Sequence, residues 1–326
     1  MSAHPGMQGD WKQRPEGGGR FAIRLIAGIA RAFGRRLTRL LLYPITGYFL
    51  LVRGPERRAS RQYLSQVLGR PAGLCEAARH VHTFASTILD RVFLLGGRLD
   101  LFEIQVTGLD ALKAALAQQR GALVFGSHLG SFDALRVLKR LRGDLALRVV
   151  LDKRHNAAIS EVFDALDPAL AAGIIDAGAD GHQVALQIKH AAEQGAMVAM
   201  LVDRAQPQEP ALAVNFFGRP APFPTTPWLI ASALKLPVVL AYGVYRGGNR
   251  YELIFESFRD VADVPRGERA AALHGLIGDY AARLQQHALD APYNWFNFYD
   301  FWQEGVRDRV ADGTGLRRRD AVRRCG

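Results

Sequence analysis

ALVFGSHLGSFDAL, at residues 122–135, carries the clearest local signal of architecture in this chain of 326 residues. Its apolar start, Ala122–Phe125, predicts a buried strand, and the small residues that follow predict a tight turn. A helix at 132–141 is expected next. A strand that turns directly into a helix is the unit from which parallel sheets are built.

Short apolar runs alternate with helical stretches through the rest of the chain after residue 100. The predicted strands are Glu103–Val106, Ala122–Phe125, Leu145–Leu151, Gly173–Ile175, Met197–Val202, Val238–Val244 and Tyr251–Phe255. The predicted helices are 110–119, 132–141, 156–166, 182–194, 226–235 and 267–289. This alternation predicts an α/β fold, a mostly parallel central sheet flanked by helices on both faces. The last two strands follow each other closely, so that end of the sheet is expected to be antiparallel.

The composition divides the chain into four parts. Residues 1–20 are rich in Gly and polar residues and predict a flexible N-terminus, and residues 20–97 predict a helical, basic, membrane-contacting region. Residues 98–305 hold the α/β domain. Residues 306–326 are polar and Arg-rich, which predicts a disordered basic tail.

The positive charge is concentrated near the N-terminus. Residues 11–61 hold twelve Lys and Arg against two acids, nearly all of the net charge of +11. Such a segment suits an anionic surface: a membrane, a nucleic acid or an acidic protein. A nucleic-acid-binding protein is the non-enzymatic alternative, but the charge is confined to one segment and a tail, and no nucleic-acid-binding motif accompanies it. The two cysteines form no metal or redox motif and suit a reducing compartment.

The basic segment predicts an amphipathic helix over residues 20–40. Helical spacing gathers four arginines on one side, and apolar residues on the other: Arg20, Arg24, Arg31 and Arg35 against Ile23, Ile26, Ile29, Phe33, Leu37 and Leu40. The run LLLYPITGYFLLV, Leu40–Val52, follows; its 13 residues fall short of the roughly 20 that span a bilayer. The segment is interpreted either as a core element or as a shallow insertion into the membrane interface.

His128 is the strongest catalytic candidate. The chain lacks a nucleophile elbow, a Walker A loop, a dinucleotide-binding loop and zinc-ligand spacing, so no metal and no cofactor is expected. His128 and Asp133 form an H-x4-D pair at the predicted carboxyl end of a strand, where α/β sheets bind ligands. A turn can fold His128 over the next helix, so that Asp133 accepts its Nδ1–H and leaves Nε2 free as a base.

Spacing alone does not single out this pair. His274 and Asp279 have the same spacing, but they lie within a predicted long helix, where five residues turn the side chains apart. Other features are expected to be unremarkable. His80 and His82 are interpreted as solvated helix residues, and the aromatic stretch at 292–302 as either the lining of an acyl-chain pocket or a packed terminal core.

The motif SHLGSFD resembles the H-x4-[DE] signature of the lysophospholipid acyltransferase superfamily, and the chain is similar to its bacterial branch of lipid A acyltransferases. Two further blocks support the resemblance: VVLDKRHNAAI at 149–159, and VAMLVDRAQPQ at 198–208 followed by AVNFFGRPAPFPTTPWLIASALKLPVVLAY. The resemblance covers roughly residues 100–300.

The chain departs from that branch at two places. The lipid A enzymes usually carry Glu at the position of Asp133, and they end in an aromatic–Arg–Arg–Trp pattern where this chain has PYNWFNFYDFW at 292–302. That ending is similar to a sister branch of predicted acyltransferases, so the resemblance leaves the acceptor open.

The resemblance implies transfer of an acyl group from an acyl carrier protein or coenzyme A thioester to a hydroxyl or amine of a lipid or glycolipid. His128 would act as general base and Asp133 would hold it. The candidate oxyanion and substrate-binding residues are Arg154, Arg204, Asp203, Gly130 and Asn156. The expected location is the cytoplasmic face of the inner membrane, as a peripheral protein on an anionic surface without a nucleic-acid partner. A lipid or thioester hydrolase using the same site is the alternative enzyme.

Overall fold

A computed structural model describes residues 20–117, 120–136, 146–153, 163, 165–205 and 209–302. In residues 20–27, 31, 169–170 and 266 it describes the backbone alone. The helices are α1 Arg20–Thr38, α2 Leu42–Val52, α3 Gly54–Leu68, α4 Leu74–Leu95, α5 Leu109–Ala117, α6 Pro168–Ala172, α7 Gly181–Glu193, α8 Thr226–Leu234 and α9 Arg269–Asp290. The strands are β1 Glu103–Thr107, β2 Ala122–Gly126, β3 Leu147–Leu151, β4 Ile174–Asp176, β5 Met197–Leu201, β6 Ala211–Phe216, β7 Arg219–Pro224, β8 Val238–Tyr245 and β9 Arg250–Arg259.

Seven strands form one mixed sheet in the order β1-β9-β8-β2-β5-β3-β4. The five neighbours from β8 to β4 are parallel, β9 is antiparallel to β8, and β1 is parallel to β9. The predicted α/β class, with a mostly parallel sheet and an antiparallel end, is therefore confirmed. The central strand β2 is buried along its whole length.

Helices cover both faces of this sheet, as predicted. Leu123 and Phe125 of β2 point into a core that includes side chains of α3, α7, α8 and α9, while Ala122 and Val124 point into a second core with α5. The alternation follows from the two-residue period of a strand. A sheet covered on both faces explains why its central strands are continuous apolar runs rather than alternating ones.

The prediction missed a β-hairpin. Strands β6 and β7 form a separate antiparallel pair joined by Phe217 and Gly218, both with positive φ (53° and 75°). Two positive-φ residues are typical of a tight hairpin turn. Three prolines alternate along β7, at Pro220, Pro222 and Pro224. A two-stranded ribbon tolerates them because each strand has a free edge.

The N-terminal helices differ from the continuous amphipathic helix that the sequence predicts. Helix α1 is interrupted at Gly34, whose φ of 72° and ψ of 172° are not helical. Residues on either side of that kink do not share one face. Arg35 donates to both carboxylate oxygens of the fully buried Asp90 on α4, at 2.7 and 2.9 Å. Arg35 therefore holds α1 to α4, which corrects its placement with Arg20, Arg24 and Arg31 on the polar side of one amphipathic helix.

The predicted helix at 132–141 begins as a 3-10 turn over Phe132–Arg136, and its remainder lies outside the described residues. The predicted helix at 156–166 lies largely outside them as well. Among the helices that the structure describes, none is both long enough and apolar enough to cross a membrane.

Candidate active site

His128 lies two residues beyond the carboxyl end of β2, in a turn that small residues make possible. Gly130 has a φ of +71°, and a Cβ there would stand 1.9 Å from the carbonyl oxygen of Gly243 on β8. Only glycine fits this position, because the backbone of the turn packs directly against the neighbouring strand. The carbonyl oxygen of His128 accepts a hydrogen bond from Phe296 N at 2.9 Å. The turn is thus held on both sides.

Asp203 is the carboxylate that pairs with His128. β2 and β5 are adjacent and parallel, with Gly126 opposite Leu201, so the residues two positions beyond each strand end arrive side by side. Asp203 Oδ1 accepts from His128 Nδ1 at 2.8 Å. Its Oδ2 accepts from the backbone N–H of His128 at 3.0 Å and from the indole Nε1 of Trp295 at 2.9 Å.

This arrangement corrects the expectation that Asp133 holds His128. Asp133 lies in the 3-10 turn, where its Oδ2 accepts from Arg91 Nε at 2.6 Å. Ser131 Oγ lies 3.5 Å from the same oxygen. The motif aspartate therefore ties the turn to α4, and the imidazole is held by an aspartate 75 residues further along the chain. The parallel register of β2 and β5 would have indicated this, but strand neighbours cannot be read from the sequence.

The charges of the site favour a neutral imidazole beside an ionised carboxylate. Burial lowers the pKa of His128, with a further lowering by the Arg204 charge, and Asp203 opposes both. Burial alone would raise the pKa of Asp203, but its interactions with His128, Arg204 and Trp295 hold that pKa well below its usual range. A carboxylate on Nδ1 places the ring proton there and leaves Nε2 as a proton acceptor. The His128 side chain is 37% exposed and the Asp203 side chain is fully buried, so only the histidine is open to substrate.

Arg204 stands next to this pair, as the sequence predicts from its position after β5. Its Nη2 donates to the carbonyl oxygen of Phe296, and its guanidinium lies over the Tyr299 ring, 5.4 Å from the centroid. Its Nε is buried without a hydrogen-bond partner and lies 3.9 Å from Asp203 Oδ2. A fixed guanidinium of this kind can stabilise negative charge that develops beside His128.

The Gly130 N–H is not available as an oxyanion donor. It donates to the carbonyl oxygen of Asn294 at 2.8 Å, and the next N–H, of Ser131, donates to Gly243 O at 2.7 Å. Gly130 is therefore a packing residue of the turn rather than the backbone donor that the sequence suggested. Two further candidates, Arg154 and Asn156, lie outside the described residues.

Several secondary expectations are also decided by the structure. His80 is fully buried rather than solvated: its Nδ1 accepts from Ser60 Oγ at 2.8 Å, and its Nε2 donates to the carbonyl oxygen of Trp295 at 3.0 Å. Trp295, Phe301 and Trp302 belong to the packed core, which settles the open interpretation of the aromatic stretch for these three residues. His274 and Asp279 lie on α9, and Asp279 pairs with Arg259 instead.

Within the described part of the chain, no group of three or more His, Cys, Asp or Glu residues is placed to hold a metal ion. What the described residues do assemble is a solvent-accessible imidazole, a buried aspartate on its Nδ1 and a guanidinium beside both. These groups can act together in general base catalysis, with the guanidinium stabilising the negative charge that develops in the transition state.

Comparison with known protein families found one match. The family model described as bacterial lipid A biosynthesis acyltransferase matches residues 89–277, more than half of the chain. The matched region begins within α4 and contains Arg91, His128, Asp133, Asp203 and Arg204. No curated protein matches the chain.

Proposed function

The chain belongs to the bacterial lipid A biosynthesis acyltransferase family, and from this premise we propose that it moves a fatty acyl group from an acyl thioester to a hydroxyl or amine of a lipid or glycolipid. The chain is an acyltransferase. The donor, an acyl carrier protein or coenzyme A thioester, and the roles of individual residues are parts of the proposal. The observation that carries the mechanism is the 2.8 Å contact between His128 Nδ1 and the buried Asp203.

In the proposed reaction His128 Nε2 removes the proton of the acceptor hydroxyl or amine as that atom attacks the thioester carbonyl. Asp203 stabilises the imidazolium that forms, and it keeps the ring in the required tautomer. The tetrahedral intermediate collapses as the carbon–sulfur bond breaks, and the imidazolium returns its proton to the departing thiolate. A positioned base of this kind contributes roughly 10²–10⁴ in rate.

Arg204 is the proposed donor to the developing oxyanion. Its guanidinium is fixed by Phe296 and Tyr299, so it needs little reorganisation during the reaction. Loss of one preorganised donor typically costs about 10²–10³ in rate. Arg154, Asn156 and Gly130 are the other candidates from the sequence; the N–H of Gly130 already donates to Asn294 O, which favours Arg204 over this backbone group.

The test is acyl transfer by the full-length protein. A radiolabelled acyl thioester is incubated with a bacterial lipid extract, and label in the lipid fraction is separated from label in free fatty acid. We expect His128→Ala to abolish transfer while the fold is retained, and His274→Ala, an exposed histidine on α9, to serve as the matched control with full activity. Normal turnover by a folded His128→Ala protein contradicts the proposal. Label that appears only as free fatty acid points to the hydrolase instead.

We propose further that the protein binds the cytoplasmic face of the inner membrane through α2 and the end of α1. Large apolar side chains are exposed along this segment, including Phe33 at 62%, Tyr43 at 68% and Leu51 at 82%. An exposed apolar patch of this density suits a lipid surface. Arg36, which is exposed and precedes Leu37 in the chain, adds an electrostatic attraction to anionic head groups worth about 1 kcal/mol.

Liposome sedimentation tests this location. Because Arg35 is bound to Asp90, a variant that reverses it would disturb the fold, so the informative changes are Phe33→Glu and Leu51→Glu. Leu186→Glu, which changes another exposed leucine (53%), on α7, is the control. We expect the first two to lose binding to anionic vesicles and the control to keep it. Unchanged sedimentation of both Phe33→Glu and Leu51→Glu would refute membrane attachment through this segment.

A further inference from the structure

The aromatic stretch at residues 292–302 departs from the pattern of the lipid A enzymes, and the proposed function uses it only where Phe296 and Tyr299 hold Arg204. The structure joins this stretch to the catalytic turn. Gly130 N donates to Asn294 O, Phe296 N donates to His128 O, and Leu129 forms a β-bridge with Trp295. The stretch therefore lies alongside the catalytic turn as an added strand segment.

We propose that Trp295 is a positioning residue that holds the Asp203 carboxylate toward His128, an inference that rests on the proposed function of that pair. Its indole Nε1 donates to Asp203 Oδ2 at 2.9 Å, while Oδ1 of the same carboxylate accepts from His128 Nδ1. One oxygen is thus occupied by the indole, and the other is directed to the imidazole. Because Trp295 is fully buried, it acts through Asp203 rather than by direct contact with substrate.

Trp295 is itself held rigidly. Its ring packs edge-on against Tyr63, Phe216 and Phe301, with centroid distances of 5.0, 5.2 and 5.0 Å. Its carbonyl oxygen accepts from the buried His80. A donor fixed by packing on one side and by a hydrogen bond on the other can define the orientation of a carboxylate, because little freedom remains to be lost.

The indole also sets how strongly Asp203 attracts the imidazole proton. A hydrogen bond donated to a carboxylate reduces its basicity. Besides each other, His128 and Asp203 interact with two charged groups, Arg204 and Arg91. Three tyrosines also lie near them: Tyr242, Tyr280 and Tyr299. Burial raises the pKa of all three tyrosines, so they stay neutral in the working range. Loss of the indole donor should therefore raise the pKa of His128, because a more basic Asp203 stabilises the imidazolium.

The experiment compares Trp295→Phe with Trp302→Phe in the full-length protein. Trp302 is a close control: it is also buried, also packs against Phe216 and Phe301, and its indole also donates one hydrogen bond, but to the carbonyl oxygen of Phe216 at 3.1 Å. Both changes remove an indole N–H from the same aromatic core. Only one of them removes a donor to Asp203.

We expect Trp295→Phe to lower kcat about tenfold with little change in KM, since hydrogen bonds to charged groups are worth about that factor. In the pH profile of kcat, the pH at which activity falls on the acid side should rise by about one unit, because a more basic Asp203 carboxylate favours the imidazolium form of His128. Trp302→Phe should keep the parent profile and a kcat within about twofold.

NMR titration of His128 in histidine-labelled protein gives a second readout that needs no activity. An upward shift of the His128 midpoint in Trp295→Phe alone supports the positioning role, even if the parent were found not to transfer acyl groups. A folded Trp295→Phe protein whose His128 titrates as in the parent overturns it. Equal shifts in both tryptophan variants also overturn it, because they would show a general effect of the aromatic core.

Discussion

Replacing each aspartate of the site by asparagine separates the two candidates for the partner of His128. In Asp203→Asn the side-chain volume is kept, and the amide oxygen can still accept from the His128 N–H and from the Trp295 indole. The amide NH₂ then faces His128 Nδ1 at the position where Asp203 Oδ1 accepts a proton at 2.8 Å. Because two donors cannot share that contact, the imidazole must present an unprotonated Nδ1, and its proton moves to Nε2.

That tautomer cannot act as the base. In a serine protease triad the corresponding change costs about 10⁴ in kcat with the geometry intact, which corresponds to about 5.4 kcal/mol of transition-state stabilisation. We expect a loss of this order for Asp203→Asn. Asp133→Asn instead removes the negative charge of the 2.6 Å ion pair with Arg91, which does not involve the imidazole. For this variant we expect a loss of no more than about tenfold.

The assay is initial-rate transfer of labelled acyl groups from thioester to lipid, with the unfolding transition of each variant measured in parallel. The H-x4-D hypothesis predicts the opposite order, with Asp133→Asn the more damaged. If Asp133→Asn loses activity by 10³ or more while Asp203→Asn stays near the parent, the assignment of Asp203 is wrong. Asp133 would then have to leave Arg91 and bind His128 in the substrate complex.

Three further predictions concern pH and packing. Because burial and the charge of Arg204 lower the pKa of His128, transfer should persist below the usual histidine pKa of 6.5 and fall only at more acidic pH; a profile that falls at or above pH 6.5 contradicts this. Burial lowers the pKa of His80 to about 4, so between pH 6.5 and pH 4 the unfolded chain binds a proton that the folded chain does not. His80 should therefore contribute about 2 kcal/mol to the fall in the free energy of unfolding from pH 7 to pH 5 in urea titrations, and His80→Gln should make that fall smaller by this amount. Gly130→Ala should fail to fold or unfold far more easily, because its Cβ would lie 1.9 Å from Gly243 O; a stable, active variant would refute the close packing of the turn.

The sheet could be predicted from the sequence because its signals are local. Strands β2, β5 and β8 are short apolar runs bounded by turns, and the structure places each within two residues of its predicted limits. The hairpin could not be recognised, since the prolines of β7 argue against a strand unless one knows that it lies in a two-stranded ribbon.

The site was predictable only in part. His128 and Arg204 could be located because each follows a strand end closely. The pairing of Asp203 with His128 depends on β5 lying next to β2 in a particular register, and neither fact is encoded near either residue. In the same way, the burial of His80 and the contact of Arg35 with Asp90 depend on which helices pack together. A helical pattern identifies an apolar face, but it does not identify the partner of a polar residue.

The pairing across β2 and β5 has a consequence for how the protein folds. His128 and Asp203 are 75 residues apart, and Asp203 and Trp295 a further 92. Contacts between residues so distant in sequence form late, because the loops that they close must be ordered first. During synthesis the base therefore has no partner until β5 has joined the sheet, and the indole arrives later still. In a partly folded chain, His128 is not held in the tautomer with the proton on Nδ1, and Asp203 is not beside it to stabilise the imidazolium. Acyl transfer should therefore begin only when this domain is complete.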